Sequence, residues 1–452
     1  MTISRRELLR VVAGSTAVAA MGQLGLSSAL ADTSSYRAMV GVFLFGGNDA
    51  WNMVVPTDGR FSTYASQRGS VALQQSSLVP LTGTPFGLHP SFASLKPAWD
   101  DGSLGVVLNT GTLFQPLTKS LYTSQPALRP LNLMSHEDQQ NQWQSQMMRS
   151  KGVDGFMGRM NDRAPKADLP PLISIAGSQL ALIGDRSSPL ILPSSGSIVR
   201  NGYNAASTDA SVKARQLALD TFADASSFGQ VTDLTGKGMS SAYAQAVAAN
   251  AVISATTSVV DKYFVNPTTG VTLTSDISRQ LLRAARMIEA RGSLGHAKQT
   301  FFVSQGGYDT HVGQLGTHNA IYADLSNALA GFYNAMKALG LSDNVTAFTM
   351  SDFGRVFKGN SQAGTDHAWG SNHIVLGGAL AKGKVHGRYP DMTFGGPEDS
   401  ANDGRWIPSI ATEEYIGAIA QWYGVSAADL PYIFPNWSTW NGGGRGAVPL
   451  FG

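Results

Sequence analysis

Met39-Val40-Gly41-Val42-Phe43-Leu44-Phe45, followed at once by Gly46-Gly47-Asn48-Asp49, is the stretch on which the fold turns. An uncharged apolar run of this length cannot present one wet and one dry face, so it reads as a strand buried on both. The paired glycines let the backbone turn sharply and carry Asn48 and Asp49 to the sheet edge. Similar short runs occur at Leu104–Leu108, Leu172–Ala176, Thr300–Ser304, Val345–Met350 and His373–Leu376. Helical patterns lie between them, at Gln139–Ser150, Ser211–Phe222, Ser240–Tyr263, Ile277–Arg291, His318–Leu339 and Glu413–Tyr423. This alternation predicts an α/β fold: a central, mostly parallel sheet with helices on both faces. The Ala-rich block from about 205 to 292 holds no strand-like run and reads as a helical insertion. The Ser/Gly/Asn-rich stretch Pro193–Ser211 reads as its flexible boundary.

Composition narrows the function. The chain has 452 residues, 43 % hydrophobic and only 14 % charged, which is too apolar for disorder. The formal net charge is +2; without Arg5, Arg6, Arg10 and Glu7 of the leader, 30 basic and 30 acidic residues balance. A neutral chain lacks the surplus cation that phosphate backbones demand, so a nucleic-acid partner is not expected. There is no cysteine, hence no disulfide and no thiolate metal site. Any metal would be held by carboxylate, imidazole or hydroxyl, which suits a divalent ion such as Zn, Mn, Mg or Ca.

The N-terminus predicts export. A basic head, Ser4-Arg5-Arg6-Glu7-Leu8-Leu9-Arg10, precedes a mildly apolar run from Val11 to Leu30, and Ala29-Leu30-Ala31 supplies small residues for cleavage. The arginine pair resembles the twin-arginine (Tat) signal. Residues 1–31 are therefore expected to be a Tat signal peptide, with the Tat translocase as the partner in export. Residues 32–452 are then the α/β domain, soluble in the periplasm or outside the cell. The apolar run is broken by Gly14, Gly22 and Gly25, so it would span a membrane poorly.

Functional groups in such sheets sit just past the strand ends. Four loops qualify: Gly46-Gly47-Asn48-Asp49, Gly306-Gly307-Tyr308-Asp309-Thr310-His311, Ser351-Asp352-Phe353-Gly354-Arg355, and Gly364-Thr365-Asp366-His367-Ala368-Trp369-Gly370. Each sets an Asp, and two of them a His as well, beside glycines. Ser135-His136 precedes a helical pattern, where free backbone N–H groups favour an anion.

These motifs, in this order over about residues 40–390, resemble the Tat-exported family known as domain of unknown function 1501. They are similar, more distantly, to the alkaline phosphatase/sulfatase superfamily. The resemblance implies an alkaline phosphatase-like fold and a metal site with Asp49, Asp309, His311, Asp352 and His367 as ligands. It implies Ser135, His136 and Arg355 as catalytic residues, Ser135 as the nucleophile, and an anionic small-molecule or polymer ester as substrate. The expected activity is hydrolysis of a phosphate or sulfate ester by a metal-dependent, exported enzyme. Phe353 stands where the superfamily's Ser-Asp-His-Gly motif has its His, and no sulfatase-type Ser-x-Pro-x-Arg sequence is present. The alternative is a non-catalytic binding or assembly module of the cell envelope, with an envelope protein partner and the Asp, His and Arg groups as structural pairs. Trp51, Trp143 and Trp369 beside the loops suggest a third reading, carbohydrate binding.

Overall fold

The computed structural model describes residues 36–164, 169–198, 207–223, 230–381 and 384–452. The export segment expected over residues 1–31 lies outside them. Among the described residues no helix is long and apolar enough to cross a membrane.

In chain order the strands are β1 (Arg37–Leu44), β2 (Val54–Pro56), β3 (Val79–Pro80), β4 (Phe86–Leu88), β5 (Leu104–Gly111), β6 (Leu172–Ser174), β7 (Leu190–Ile191), β8 (Lys298–Gln305), β9 (Val345–Ser351), β10 (Ser371–Leu376), β11 (Val385–His386) and β12 (Ile410–Ala411). The helices used below are α1 (Phe61–Arg68), α2 (His136–Ser145), α3 (Ala210–Ala223), α4 (Gln230–Ile253), α5 (Asp276–Glu289), α6 (Gln314–Ala338) and α7 (Thr412–Tyr423). The main sheet has the order β11-β5-β10-β9-β1-β8-β6-β7, with β12 also on β5; β2, β4 and β3 form a small separate sheet. All main-sheet pairings are parallel except those of β10, which runs against both its neighbours.

The six apolar runs are all strands. In β1 the side chains alternate between two cores, since successive residues of a strand point to opposite faces. Ala38, Val40, Val42 and Leu44 join one core with Leu281 and Ile288 of α5 and Leu325 and Leu329 of α6. Met39 and Phe43 join the other with Tyr415, Ile416 and Ile419 of α7. The strand is buried along its length because both faces are covered, as its uninterrupted apolarity requires.

Two expectations need correction. The block at about 205–292 is helical but is not all insertion. The strongly amphipathic α5 lays Ile277, Leu281, Ala284, Ala285 and Ile288 into the sheet's own core, and the C-terminal end of α4 adds Ala249, Val252 and Ile253. The tryptophans form no binding platform. Trp51, Trp143 and Trp369 are each at most 1 % exposed, and Trp51 and Trp369 donate their indole N–H to the backbone carbonyls of Arg355 and Thr112.

Glu413, in the first turn of α7, is fully buried. Its Oε1 accepts a bond from the Asn436 N–H at 3.2 Å, but burial dominates and pushes the carboxyl up to about 8. Folded protein therefore keeps a proton that the unfolded chain releases near the ordinary value of 4.5. Stability contributed by this group is present below that value and is lost as pH rises towards about 8. Glu413→Gln should melt several degrees above wild type at pH 8, with the gap closing towards pH 5 in calorimetric scans. A gap independent of pH would show that Glu413 does not titrate in this way.

Candidate metal centre

The sheet register brings the chemistry together. Leu44, at the end of β1, pairs with Gln305 of β8 and Ser351 of β9, so the three following loops leave one edge side by side. Because β10 is reversed, its amino end lies at that same edge, which places the loop before Ser371 beside the other three. The loops are then stitched to one another. Residues 354 and 368–369 exchange backbone bonds (Gly354 N to Trp369 O, 2.9 Å; Ala368 N to Gly354 O, 3.0 Å), which sets Arg355 beside His367. A Cβ on Gly354 would stand 1.9 Å from the Gly370 carbonyl oxygen, so that approach needs glycine. Thr365 N donates to Thr310 O at 3.0 Å and carries Asp366 to His311.

Asp309 is the focus. Its Oδ1 lies 2.8 Å from Arg355 Nη1, 3.0 Å from His311 Nε2 and 3.2 Å from His367 Nε2, and its Oδ2 is 3.5 Å from His136 Nε2. The His311 and His367 Nε2 atoms are 3.1 Å apart. His136, Asp309 and His367 can each offer a ligand atom within 4.8 Å of the others. The side chain of Asp309 is 46 % exposed, so the cluster opens to solvent.

The far side of each ring shows what these nitrogens do. His136 Nδ1 is 2.6 Å from Oδ2 of buried Asp352, His311 Nδ1 is 3.0 Å from Asp366 Oδ1, and His367 Nδ1 is 2.9 Å from the Met134 carbonyl. A carbonyl or carboxylate can only accept, so each Nδ1 carries the proton in the neutral ring; the tautomers are assigned from these partners. Each Nε2 then turns a lone pair towards the Asp309 carboxylate. His136 Nε2 is buried with no hydrogen-bond partner among the described residues. Acceptors facing acceptors at these distances repel unless a cation or proton stands between them. Imidazoles whose outer nitrogen is tied to a carboxylate or carbonyl are the usual outer framework of a metal site.

Charge and burial act differently on the members of the cluster. The hydrogen bond to Asp352 raises the His136 pKa, whereas burial lowers that of His367. On Asp309 burial acts upward, but the Arg355 hydrogen bond and charge, with the neighbouring imidazoles, outweigh it and hold the carboxyl low.

The remaining expected residues fall elsewhere. Asp352 is fully buried, held by the Gly46 N–H at 3.2 Å and Gln140 Nε2 at 2.8 Å, and acts on the cluster only through His136. Arg355 is fully buried; its N–H groups go to Asp309, the Gly46 carbonyl, and the Thr365 hydroxyl and carbonyl. It is a positioning residue for Asp309. Ser135 caps α2: its Oγ accepts from Asp138 N at 3.3 Å and donates to Asp138 Oδ2 at 2.7 Å. Glu137 and Asp138 already supply the negative charge that this helix end favours. Asp49 is not in the cluster. It is fully buried, ion-paired with Arg68 of α1 and hydrogen-bonded by Gln314. Phe353 packs its ring 4.8 Å from that of His136 and 4.7 Å from that of His367.

Sequence reasoning assigned no role to Asp366, Gln140 or the Met134 carbonyl. Asp366 alone left a signal, its place beside His367. Residues 36–402 match the family described as Protein of unknown function (DUF1501), and the chain belongs to that family. No curated protein matches it.

Proposed function

We propose that this DUF1501 chain is an exported, metal-dependent hydrolase of a phosphate or sulfate ester, with an alkaline phosphatase-like fold over residues 32–452. One observation carries the reading: three imidazole Nε2 atoms and a half-exposed carboxylate converge, each ring locked from behind with its lone pair inward. His136, Asp309, His311 and His367 fit a divalent ion, and this nitrogen-rich set suits Zn or Mn better than Mg or Ca. A bound ion would supply Lewis-acid polarisation of an ester oxygen and acidify water. The protein's own contribution is orientation. Asp352, Asp366 and the Met134 carbonyl fix the rings, and Arg355 fixes Asp309. With the Ser135 hydroxyl engaged in its cap, water rather than a side chain is the attacking group.

The test is elemental analysis of protein purified without chelator, together with a panel of aryl phosphates and sulfates. About one Zn or Mn per chain and chelator-sensitive turnover are expected. Absence of both would sink the proposal.

Phe353 favours a second reading, in which the same fold serves as a cell-envelope assembly module. It fills the space where the superfamily motif has a ligand, and its ring covers two of the histidines. A stable envelope partner on purification, with no turnover, would support it. On either reading Arg5-Arg6 and Ala29-Leu30-Ala31 support a mature chain in the periplasm or outside the cell. Replacing both arginines by lysine should hold full-length precursor in the cytoplasm; undiminished export would exclude the Tat route.

A further inference from the structure

Beside the cluster lies a hollow of about 410 Å³, and Tyr122, Arg129, Leu131, Met134 and Arg149 are among its walls. It adjoins the centre through two shared pieces of structure. Met134 lines the hollow and its carbonyl holds His367 Nδ1. The Tyr122 ring packs 5.9 Å from that of Trp369, two residues beyond His367.

Two guanidinium groups face this space, and neither has a carboxylate partner among the described residues. Arg129 donates Nε to the Tyr122 carbonyl at 2.7 Å and lies 4.1 Å over the Tyr122 ring. Arg149 donates to the Ala127 carbonyl and lies 5.1 Å over Phe114. Carbonyls and ring faces orient a guanidinium without neutralising it. The nearby acids are engaged elsewhere: Glu137 pairs with Lys151, and Asp138 Oδ2 accepts from the Ser135 hydroxyl while its own N–H donates to Ser135 Oγ. The two together make a local cationic surplus in a chain that is close to neutral overall.

The wall between hollow and centre is held in unusual backbone. Asn132 and Met134 are non-glycine residues at φ 45° and 71°. Such conformations cost on the order of 1–3 kcal/mol each and persist where the surroundings impose them. Here the Leu131 N–H donates to Met148 O at 2.8 Å, Gln142 Nε2 donates to Leu131 O at 2.6 Å, and the Met134 N–H donates to Gln139 Oε1 at 2.5 Å.

We propose that this hollow is an anion subsite: Arg129 and Arg149 bind a second oxyanion group of the substrate while its ester lies at the His–Asp centre. The inference rests on the hydrolase reading for its reaction, and it narrows the substrate class to molecules carrying two anionic groups, one of them the scissile phosphate or sulfate. Planar guanidinium forks suit phosphate, sulfate and carboxylate oxygens alike.

Calorimetric titration of chelator-treated protein at pH 8 separates the subsite from the metal centre. Inorganic phosphate, inorganic sulfate and malonate serve as probes and distinguish the three oxyanion sources. Wild type should bind at least one of them. Arg129→Gln/Arg149→Gln should bind it at least tenfold more weakly, with an unchanged thermal midpoint and unchanged Zn uptake, and the paired lysine variant should recover part of the loss. Equal binding by wild type and the Gln variant, or no binding by wild type, would overturn the subsite, whatever the metal and ester assays show. Arginine-dependent anion binding by a protein that takes up no metal would keep the subsite and remove the hydrolase reading instead.

Discussion

Asp309→Asn is expected to abolish stoichiometric Zn or Mn binding, and with it any ester turnover, while leaving the fold intact. The carboxylate is the one anion towards which three Nε2 lone pairs and the Arg355 guanidinium point. Without it the site is three imidazoles beside the buried Arg355 cation, with no carboxylate charge to offset a divalent ion. Loss of an outer residue behind a metal ligand already costs about 10–100-fold in affinity, so removing this ligand should cost on the order of 100-fold or more. The effect on stability is small for two reasons. The side chain is 46 % exposed, and the Asn oxygen still accepts from Arg355 Nη1, so about 1 kcal/mol is at stake. The measurement is the thermal midpoint with and without metal. A ligand at about 100 times its Kd stabilises wild type by about 2.7 kcal/mol, and the variant should show no such shift. Equal shifts in both proteins would remove Asp309 from the site.

The strand-end loops were legible because their signals are local. Asp309 and His311 follow the apolar run of β8, Asp352 follows that of β9, and His367 precedes that of β10, each in a glycine-containing loop. What was not legible depends on partners far along the chain. Ser135-His136 reads as a nucleophile with its orienting base, because a Ser at a helix start followed by His has that appearance in one dimension. The structure reverses the roles: Ser135 is spent on the cap, and the cap aims His136 at Asp352, 216 residues away. Asp49 follows the same strand-end rule as the others. Its fate is decided by Arg68, a cation on α1 that no spacing argument connects to it. The helical block from 205 to 292 carries no strand signal anywhere. Only the amphipathic stripe of α5, set against the mostly exposed α3, marks which part covers the sheet.

Asp49→Asn should do the opposite of Asp309→Asn: retain metal and lose stability. Asp49 and Arg68 both have fully buried side chains. Arg68 also donates to the Phe357 carbonyl at 2.8 Å and the Val356 carbonyl at 3.3 Å, so it is fastened in place and cannot follow its charge to water. Neutralising the carboxylate leaves a buried guanidinium without a counter-ion, which typically costs about 3–5 kcal/mol. For a chain of this size that is a fall of roughly 3–6 °C in the thermal midpoint. The pair has a second effect on the site. Arg355 Nε donates to the Thr365 hydroxyl, which donates to Gln314 Oε1, while Gln314 Nε2 donates to Asp49. All donors in this chain point towards Asp49, so it anchors the arginine that holds Asp309. Metal affinity in Asp49→Asn should therefore weaken by no more than about tenfold, far less than in Asp309→Asn. Replacing the pair together, as Asp49→Leu with Arg68→Met, should recover much of the stability lost in the single variant, because no unpaired charge remains buried. If Asp49→Asn instead melts like wild type and loses its metal, Asp49 is a ligand and the ion pair with Arg68 is not what holds it.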